Sequence, residues 1–366
     1  MTKAKQILIP PVGVLRTAFL YTGQGEATLM IVPNGQKFIY VLIDMNNDKK
    51  NGGINIKALM SDLIDEGDKV IFVNTHPHDD HLKGIKEVHD EISITEVWHS
   101  GHKPGKDHDE AFQEMMEVIK DIGKNNEYVL FGTNDENKVR KNDKVTEVIK
   151  KIGDIDFIVL SPAEYVSDEI ADEDPDTRYS RIHEHCAVIK FSYGGREVKS
   201  ILITGDSDKT AWVEHITDYH KERLPSDILS ASHHGSRTFF KENSDDEDIY
   251  EKHIEEINPL HLIISAPKQS ESKHGHPHDD AINLYEKHID KENIYHLGKN
   301  RECVIVDISK EGEIEIKFDQ DLVKEYGFKN DDGDNGGQNV KKSVPYIGSR
   351  TSRIDNQPMG NNELVV

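Results

Sequence analysis

Cysteine is nearly missing from this chain of 366 residues, in which Cys186 and Cys303 are the only two. One pair cannot build a disulfide framework or a thiolate zinc site, so a transition metal would have to be held by histidine and carboxylate, and a reducing compartment is expected. Long apolar runs are missing as well. No stretch approaches the roughly 20 residues of a membrane span, and the start MTKAKQILIPPVG has no signal-peptide core, so the chain reads as cytoplasmic with no membrane association. Positive charge is scarce, with 45 Lys and Arg against 68 Asp and Glu and a formal net charge of -23. That balance repels phosphate backbones at long range. It argues against a non-specific nucleic-acid coat and leaves a local, metal-supplied positive site for an anionic substrate. Apolar residues make up 35%, so part of the length must be solvated loop or tail.

What is present is an alternation of strands and helices. Residues 14–45 contain three short apolar runs separated by GQGEA and PNGQ, turn chemistry that predicts hairpins. Helical spacing marks INIKALMSDLIDEG, LKGIKEVHDE and EAFQEMMEVIKDIG, while KVIFVNTH and ITEVWHS read as strands. Strands then dominate in DFIVLSP, HCAVIKFSYGGREVKSILITGD and SDILSAS. This order suits an α/β fold whose sheets are covered by helices on their outer faces. The acidic runs SDEIADEDPD and NSDDEDIYE read as solvated loops. The main domain is expected over 1–325. Residues 326–366 are polar and aperiodic, with DDGDNGGQN of linker composition, and read as a flexible tail or a docking segment for a protein partner.

The densest chemistry lies in NTHPHDDHLKG, residues 74–84. His76 and His78 flank Pro77, and in an extended segment their imidazoles point to one side and can share a metal ion. Asp80 and His81 follow, and a turn there aims them at a second ion. Two ions need further ligands from distant strands. Three later strand ends supply them: HEHCAVIKF with His183 and His185, ILITGDSD with Asp206, and DILSASHHGSRT with His233 and His234.

In this order, YTGQGEA, THPHDDHLKG, VLSP, HEHCAVIKFSYGG, LITGD, ASHHGS and KHGHPHDDAI resemble the metallo-β-lactamase fold, and more closely its ComEC-like branch, the hydrolase domain of DNA-uptake channel proteins and its free-standing relatives. The resemblance covers roughly residues 17–308. It implies a four-layered αββα sandwich with two metal ions at one edge of the two sheets. Carried over, His76, His78 and His185 would hold the first ion, with His183 the alternative. Asp80, His81 and His233 would hold the second, with His234 the alternative or a supporting neighbour, and Asp206 would bridge both. Many domains of that branch carry asparagine where this chain has His183 and His185. Its GHPH element makes His276 and His278 candidates, beside Asp80, for catalytic work on the leaving group or its phosphate. Two divalent cations about 3.5–4 Å apart lower the pKa of a shared water and clamp the attacking and leaving oxygens. All-N/O ligation points to zinc, with manganese the alternative.

Around this set, Asp44 is expected to accept a hydrogen bond from a ligand histidine, and Glu26 to stand near the cleft as a supporting partner. Lys273, Ser236 and Arg237 are candidates to bind an anionic substrate. Asp79 and Asp279 are expected to cap the helices that follow them, His99 and His102 to sit in a loop with a structural or substrate-rim role, and Cys186 to be a small buried apolar group. The implied function is a binuclear metal-dependent hydrolase of phosphodiesters, a phosphodiesterase or nuclease acting on a nucleotide or nucleic acid. The alternatives are hydrolysis of another ester or amide, such as a phosphocholine ester or a lactam, and a metal-binding sensor or docking protein without turnover.

Overall fold

Two sheets stacked face to face organise the chain. The computed structural model describes residues 1–104, 110–132, 138–141, 145–149 and 151–329. Among them the first sheet has ten strands, in the order Ile314–Asp319, Cys303–Ser309, Val14–Phe19, Thr28–Asn34, Lys37–Ile43, Lys69–Asn74, Glu96–His99, Glu127–Phe131, Lys138–Lys141 and Val145–Val148. The three runs of residues 14–45 pair as an antiparallel meander, with Thr28 opposite Ile43 and Phe19 opposite Thr28. From Lys37–Ile43 to Glu127–Phe131 the pairing turns parallel. Parallel neighbours require crossovers. These are the helices Ile56–Leu63, Ile85–Ile92 and Glu110–Ile122.

The second sheet has seven strands, in the order Lys151–Ile152, Ile155–Ser161, Val188–Tyr193, Lys199–Ile203, Ile228–Ser230, His261–Ile264 and Ile294–His296. Strand alternation divides its side chains between two cores. Phe157, Ile189, Phe191, Ile201, Ile203 and Ile263 join the core of the first sheet. Val188, Leu202, Leu229, Leu262 and Ile264 face the other way, against Trp212, Ile216, Phe239, Ile254 and Tyr285 of the helical layer. Each fully buried Leu or Ile contributes about 1.5–3 kcal/mol, so both faces of this sheet are anchored. The architecture is therefore the four-layered αββα sandwich that the resemblance implied.

The acidic run 167–176 departs from the loop expected of it. Glu164–Ala171 is helical because Val166 and Ile170 are buried one turn apart, and Asp174 caps Pro175–Ser180 by accepting from the Asp176 and Thr177 N–H groups. Asp79 and Asp279 do not cap their helices through side chains. Each is the first helical residue after a histidine, His78 or His278, and places its charge at the positive end. Met1–Phe328 form one unit. Tyr326, at the start of the expected tail, is buried and its hydroxyl accepts from the Ala4 N–H at 2.9 Å. The tail beyond residue 329 lies outside the described residues. No helix among the described residues is long and apolar enough to cross a membrane.

Candidate metal centre

The rims of the two sheets meet where their central strands end. Lys69–Asn74 runs into Thr75, His76, Pro77 and His78, and Lys199–Ile203 runs into Thr204, Gly205 and Asp206. A backbone bond ties each of these ends to a neighbouring segment of the second sheet. The Ala187 N–H donates to Thr75 O at 2.8 Å, tying one sheet's loop to the other, and the His233 N–H donates to Gly205 O at 2.9 Å.

On one side of Asp206, His76, His78 and His183 converge with its carboxylate. His76 Nε2 lies 3.1 Å from His78 Nδ1 and 3.6 Å from Asp206 Oδ2, and His183 Nε2 lies 3.4 Å from His78 Nδ1 and 3.9 Å from Asp206 Oδ2. Donors at the corners of a tetrahedron about 2.05 Å from its centre stand about 3.3 Å apart, the spacing of a four-coordinate zinc site. On the other side, Asp80, His81 and His234 converge. His81 Nε2 lies 3.1 Å from Asp206 Oδ1 and 3.2 Å from His234 Nε2, which is 3.5 Å from Asp80 Oδ2 and 3.6 Å from Asp206 Oδ1. Asp206 thus turns one oxygen to each set.

The outer ring nitrogens show how the imidazoles are held. His81 Nδ1 lies 2.8 Å from Asp44 Oδ2, and His234 Nδ1 lies 2.9 Å from Ser265 O, so each Nδ1 carries a hydrogen. In the neutral rings both Nε2 lone pairs then face each other at 3.2 Å. Two acceptors at that distance repel unless a proton or a metal ion lies between them. The charge balance says the same. Burial lowers His81 and His234, but Asp206 together with Asp44 raises His81 well above the ordinary imidazole value, and Asp206 together with Asp80 raises His234 to about 9. Burial pushes Asp206 up, yet the imidazoles of His233, His81, His234 and His76 hold it well below the carboxylate range. Asp206 Oδ1, which faces the second set, is buried without a hydrogen-bond partner. These donors fit a pair of divalent cations.

Where the resemblance placed His185, the structure places His183. Residues 181–185 form turns rather than a strand end, with the His185 N–H donating to Arg181 O at 3.0 Å. Strand alternation does not apply there, and the two rings diverge. His185 Nε2 meets Ser167 Oγ at 2.8 Å and its ring lies 5.2 Å from that of His102. The choice between His233 and His234 also falls the other way. Both residues have left-handed backbone, at φ 49° and 57°, and this kink sends His234 into the second set. His233 Nε2 stays 3.4 Å from Asp206 Oδ2, its ring tilted against that of His183 with centroids 4.4 Å apart.

Of the GHPH pair, His276 is buried with its ring 5.0 Å from His233, whereas His278 Nδ1 accepts the Arg237 N–H at 3.1 Å. Arg237 is drawn to Asp280, Nε to Oδ2 at 2.9 Å, and Ser236 Oγ accepts from Thr238. The structure thus keeps His278, Arg237 and Ser236 occupied with one another's loops. Lys273 lines a polar cavity of about 270 Å³ beside Asp80, with Gln24, Asn46, Asn51, Lys83 and His274. His99 ends a strand, its Nε2 3.3 Å from Glu127 Oε1, while neither ring nitrogen of the buried His102 has a partner. Cys186 is fully buried, its Sγ accepting the Asp206 N–H at 3.3 Å.

Two contributors were harder to see. Thr75 stands between strand and ligands as an ordinary strand residue in sequence, yet its hydroxyl donates to Asp44 Oδ2 at 2.6 Å and lies 3.1 Å from His76 Nδ1. Glu26 sits closer than a supporting partner: one oxygen lies within 4.8 Å of the donor atoms of Asp206 and His234, and burial raises the carboxyl to about 7. Gly25 delivers it, at φ +111°, because a Cβ there would stand 2.4 Å from Asp80 O.

No family model matches the chain, and no curated protein sequence does. Among solved structures it is similar to the metallo-β-lactamase fold protein YhfI from Bacillus subtilis, at TM-score 0.41 and 10% identity over 83% of this chain and 100% of that one. It is also similar to the metallo-β-lactamase GOB-18 from Elizabethkingia meningoseptica, at TM-score 0.31 and 14% identity over 66% and 88% of the two chains. The class B3 di-zinc metallo-β-lactamase LRA-12 from an Alaskan soil metagenome gives TM-score 0.27 and 14% identity over 74% and 93%.

Proposed function

We propose that the chain is a binuclear metal-dependent hydrolase of phosphodiester bonds, in a nucleotide or in nucleic acid threaded locally. The observation that carries this reading is Asp206, whose Oδ2 joins the His76, His78 and His183 set and whose Oδ1 joins the Asp80, His81 and His234 set. Cations held by these sets supply Lewis acidity and a nucleophile from solvent at neutral pH. Three imidazole nitrogens with one carboxylate oxygen suit zinc at the first position.

The chain's own groups do the rest. Asp44 and the Ser265 carbonyl fix the rings of His81 and His234, so their Nε2 atoms need no reorganisation. Burial lowers His276 to about 3, so at neutral pH it is an uncharged imidazole that donates N–H to a phosphoryl oxygen rather than releasing a proton. Lys273 lines the cavity beside Asp80, where Lys83 is paired with Asp48 at 2.9 Å, so Lys273 is the cationic side chain left to meet an anionic substrate on a chain of net charge -23.

The test is release of p-nitrophenol from bis-p-nitrophenyl phosphate, with DNA, cyclic nucleotides, a phosphocholine ester and a lactam in parallel. We expect phosphodiester turnover with two equivalents of metal, lost in Asp206→Asn. Metal-loaded, folded protein that cleaves only the lactam, or nothing, would overturn the assignment in favour of amide hydrolysis or of a sensor.

A further inference from the structure

We propose that Glu26 is itself a ligand of the second cation, making that position an oxygen-rich site that accepts manganese. The inference rests on the binuclear reading above and extends it to a residue outside the histidine and aspartate motifs.

Three observations converge. Glu26 is 2% exposed, and its Oε1 is buried with no hydrogen-bond partner. A carboxylate oxygen withdrawn from water without a donor is costly, so the position demands a positive charge or a proton. Its reach is that of a ligand. A Glu26 oxygen lies within 4.8 Å of the donor atoms of Asp206 and His234, and also within 4.8 Å of those of Asp44 and His81. Donors opposite one another in a six-coordinate site with bonds of about 2.1 Å stand about 4.2 Å apart, so a bound of 4.8 Å leaves Glu26 within reach of a cation shared with Asp206 and His234.

The third observation is how Glu26 is held. Its backbone N–H donates to Asp80 O at 3.2 Å, and Thr22 Oγ1 donates to Gly25 O at 3.0 Å. The GQGEA turn is therefore fastened to the very residue that contributes Asp80 to the second set. Charge closes the argument: Glu26, Asp44, Asp80 and Asp206 are four carboxylates around the two positions, and two divalent cations neutralise four. Without Glu26 the second set has two imidazoles and two carboxylates; with it, carboxylates outnumber imidazoles. Such a set suits manganese better than the three-imidazole set does, although zinc remains the tighter binder at most sites.

The experiment uses full-length apo protein given one equivalent of zinc and then titrated with manganese, with free Mn(II) read by electron paramagnetic resonance. Wild type should take up one manganese per chain, and Glu26→Gln should bind it at least tenfold more weakly while keeping its zinc. Glu26→Asp, which keeps the charge at shorter reach, should fall between. Retention of the zinc equivalent at His76, His78 and His183 reports that the variant is folded. Unchanged manganese affinity in Glu26→Gln, with loss in Asp206→Asn, overturns the inference and leaves two cations in place. Should Glu26→Gln lose zinc as well, Glu26→Asp decides, and wild-type manganese affinity there overturns the inference. A wild type that accepts only one divalent ion of any kind overturns this inference and the binuclear reading together.

Discussion

Asp44 controls His81 directly: its Oδ2 lies 2.8 Å from His81 Nδ1, and the same oxygen accepts the Thr75 hydroxyl at 2.6 Å. Because that hydroxyl's hydrogen goes to Asp44, Thr75 Oγ1 is left to accept from His76 Nδ1 at 3.1 Å. One carboxylate thereby fixes the tautomer of a histidine in each set, turning both Nε2 lone pairs inward. Asp44 has φ +53°, a conformation asparagine tolerates.

Asp44→Asn should therefore fold yet lose this control. Removing such an outer partner typically weakens metal binding about 10–100-fold. We expect losses of that size at the second position, where His81 contacts Asp44 itself, and smaller ones at the first. Competitive titration against a chromogenic chelator measures both, and unchanged affinities would show that the ring orientations are set by packing alone.

The strands and the site differed in how legible they were. Apolar runs bounded by Asn-Gly and Gly turns located the hairpins of residues 14–45 and the helices between parallel strands, because periodicity reports which face is buried. NTHPHDDHLKG, LITGD and HHGS likewise pointed to segments whose histidines and aspartates the structure brings together. Which histidine of each pair enters it was hidden, since the answer lies in local backbone shape. His183 and His185 sit in turns, and His233 and His234 share a left-handed kink, neither of which a period of two describes. The helix Glu164–Ala171 was hidden for the opposite reason: two apolar residues, Val166 and Ile170, outweigh an acidic composition.

Gly205 gives a stability test beside the bridge. Its φ is +50°, and an added Cβ would lie 2.6 Å from Cys186 Sγ and 2.7 Å from Thr75 Oγ1. Gly205→Ala should cost roughly 2–4 kcal/mol, from left-handed backbone strain and overpacking combined. Denaturant unfolding of the apo protein measures it. A loss below about 0.5 kcal/mol, the range of an ordinary surface change, would mean that the Thr75 and Cys186 loops yield freely.

His253 gives a pH test remote from the cations. It is fully buried against Trp212, Phe239 and Phe240, with Nε2 donating to Phe239 O at 2.9 Å, and burial lowers it to about 3. The unfolded chain titrates near the ordinary imidazole value of about 6.5. Between these values the unfolded state binds the extra proton, so this group's share of stability is intact above about pH 6.5 and falls as pH drops toward 3. At pH 5 the loss is about 2 kcal/mol. His253→Phe, whatever its stability at pH 7, should lose about that much less than wild type between pH 7 and pH 5. Equal losses in denaturant unfolding at the two pH values would show that His253 is protonated in the folded protein.

The pair His183 and His185 separates ligand from scaffold most sharply. Both are candidates by sequence and two residues apart, yet His183 Nε2 stands 3.4 Å from His78 Nδ1 while His185 Nε2 meets Ser167 Oγ at 2.8 Å. Arg181 organises the turn that separates them. Its Nε and Nη2 grip Glu184 at 2.7 and 2.5 Å, and its Nη1 reaches Glu173 at 2.6 Å, pinning the loop to the helix region before it. His183→Ala removes one of the donors of the first set and should lower zinc content from two equivalents toward one, with apo stability nearly unchanged because the ring is not deeply packed. His185→Ala removes a ring that is 2% exposed and should do the reverse. Zinc content stays near two, while apo stability falls by roughly 1–3 kcal/mol through lost packing and the lost hydrogen bond to Ser167, whose hydroxyl keeps the Ala163 carbonyl at 3.4 Å. Elemental analysis beside denaturant unfolding reads both quantities on one preparation. Metal lost in His185→Ala and kept in His183→Ala would mean that the loop rearranges when cations bind, and that the first set is completed by His185 instead.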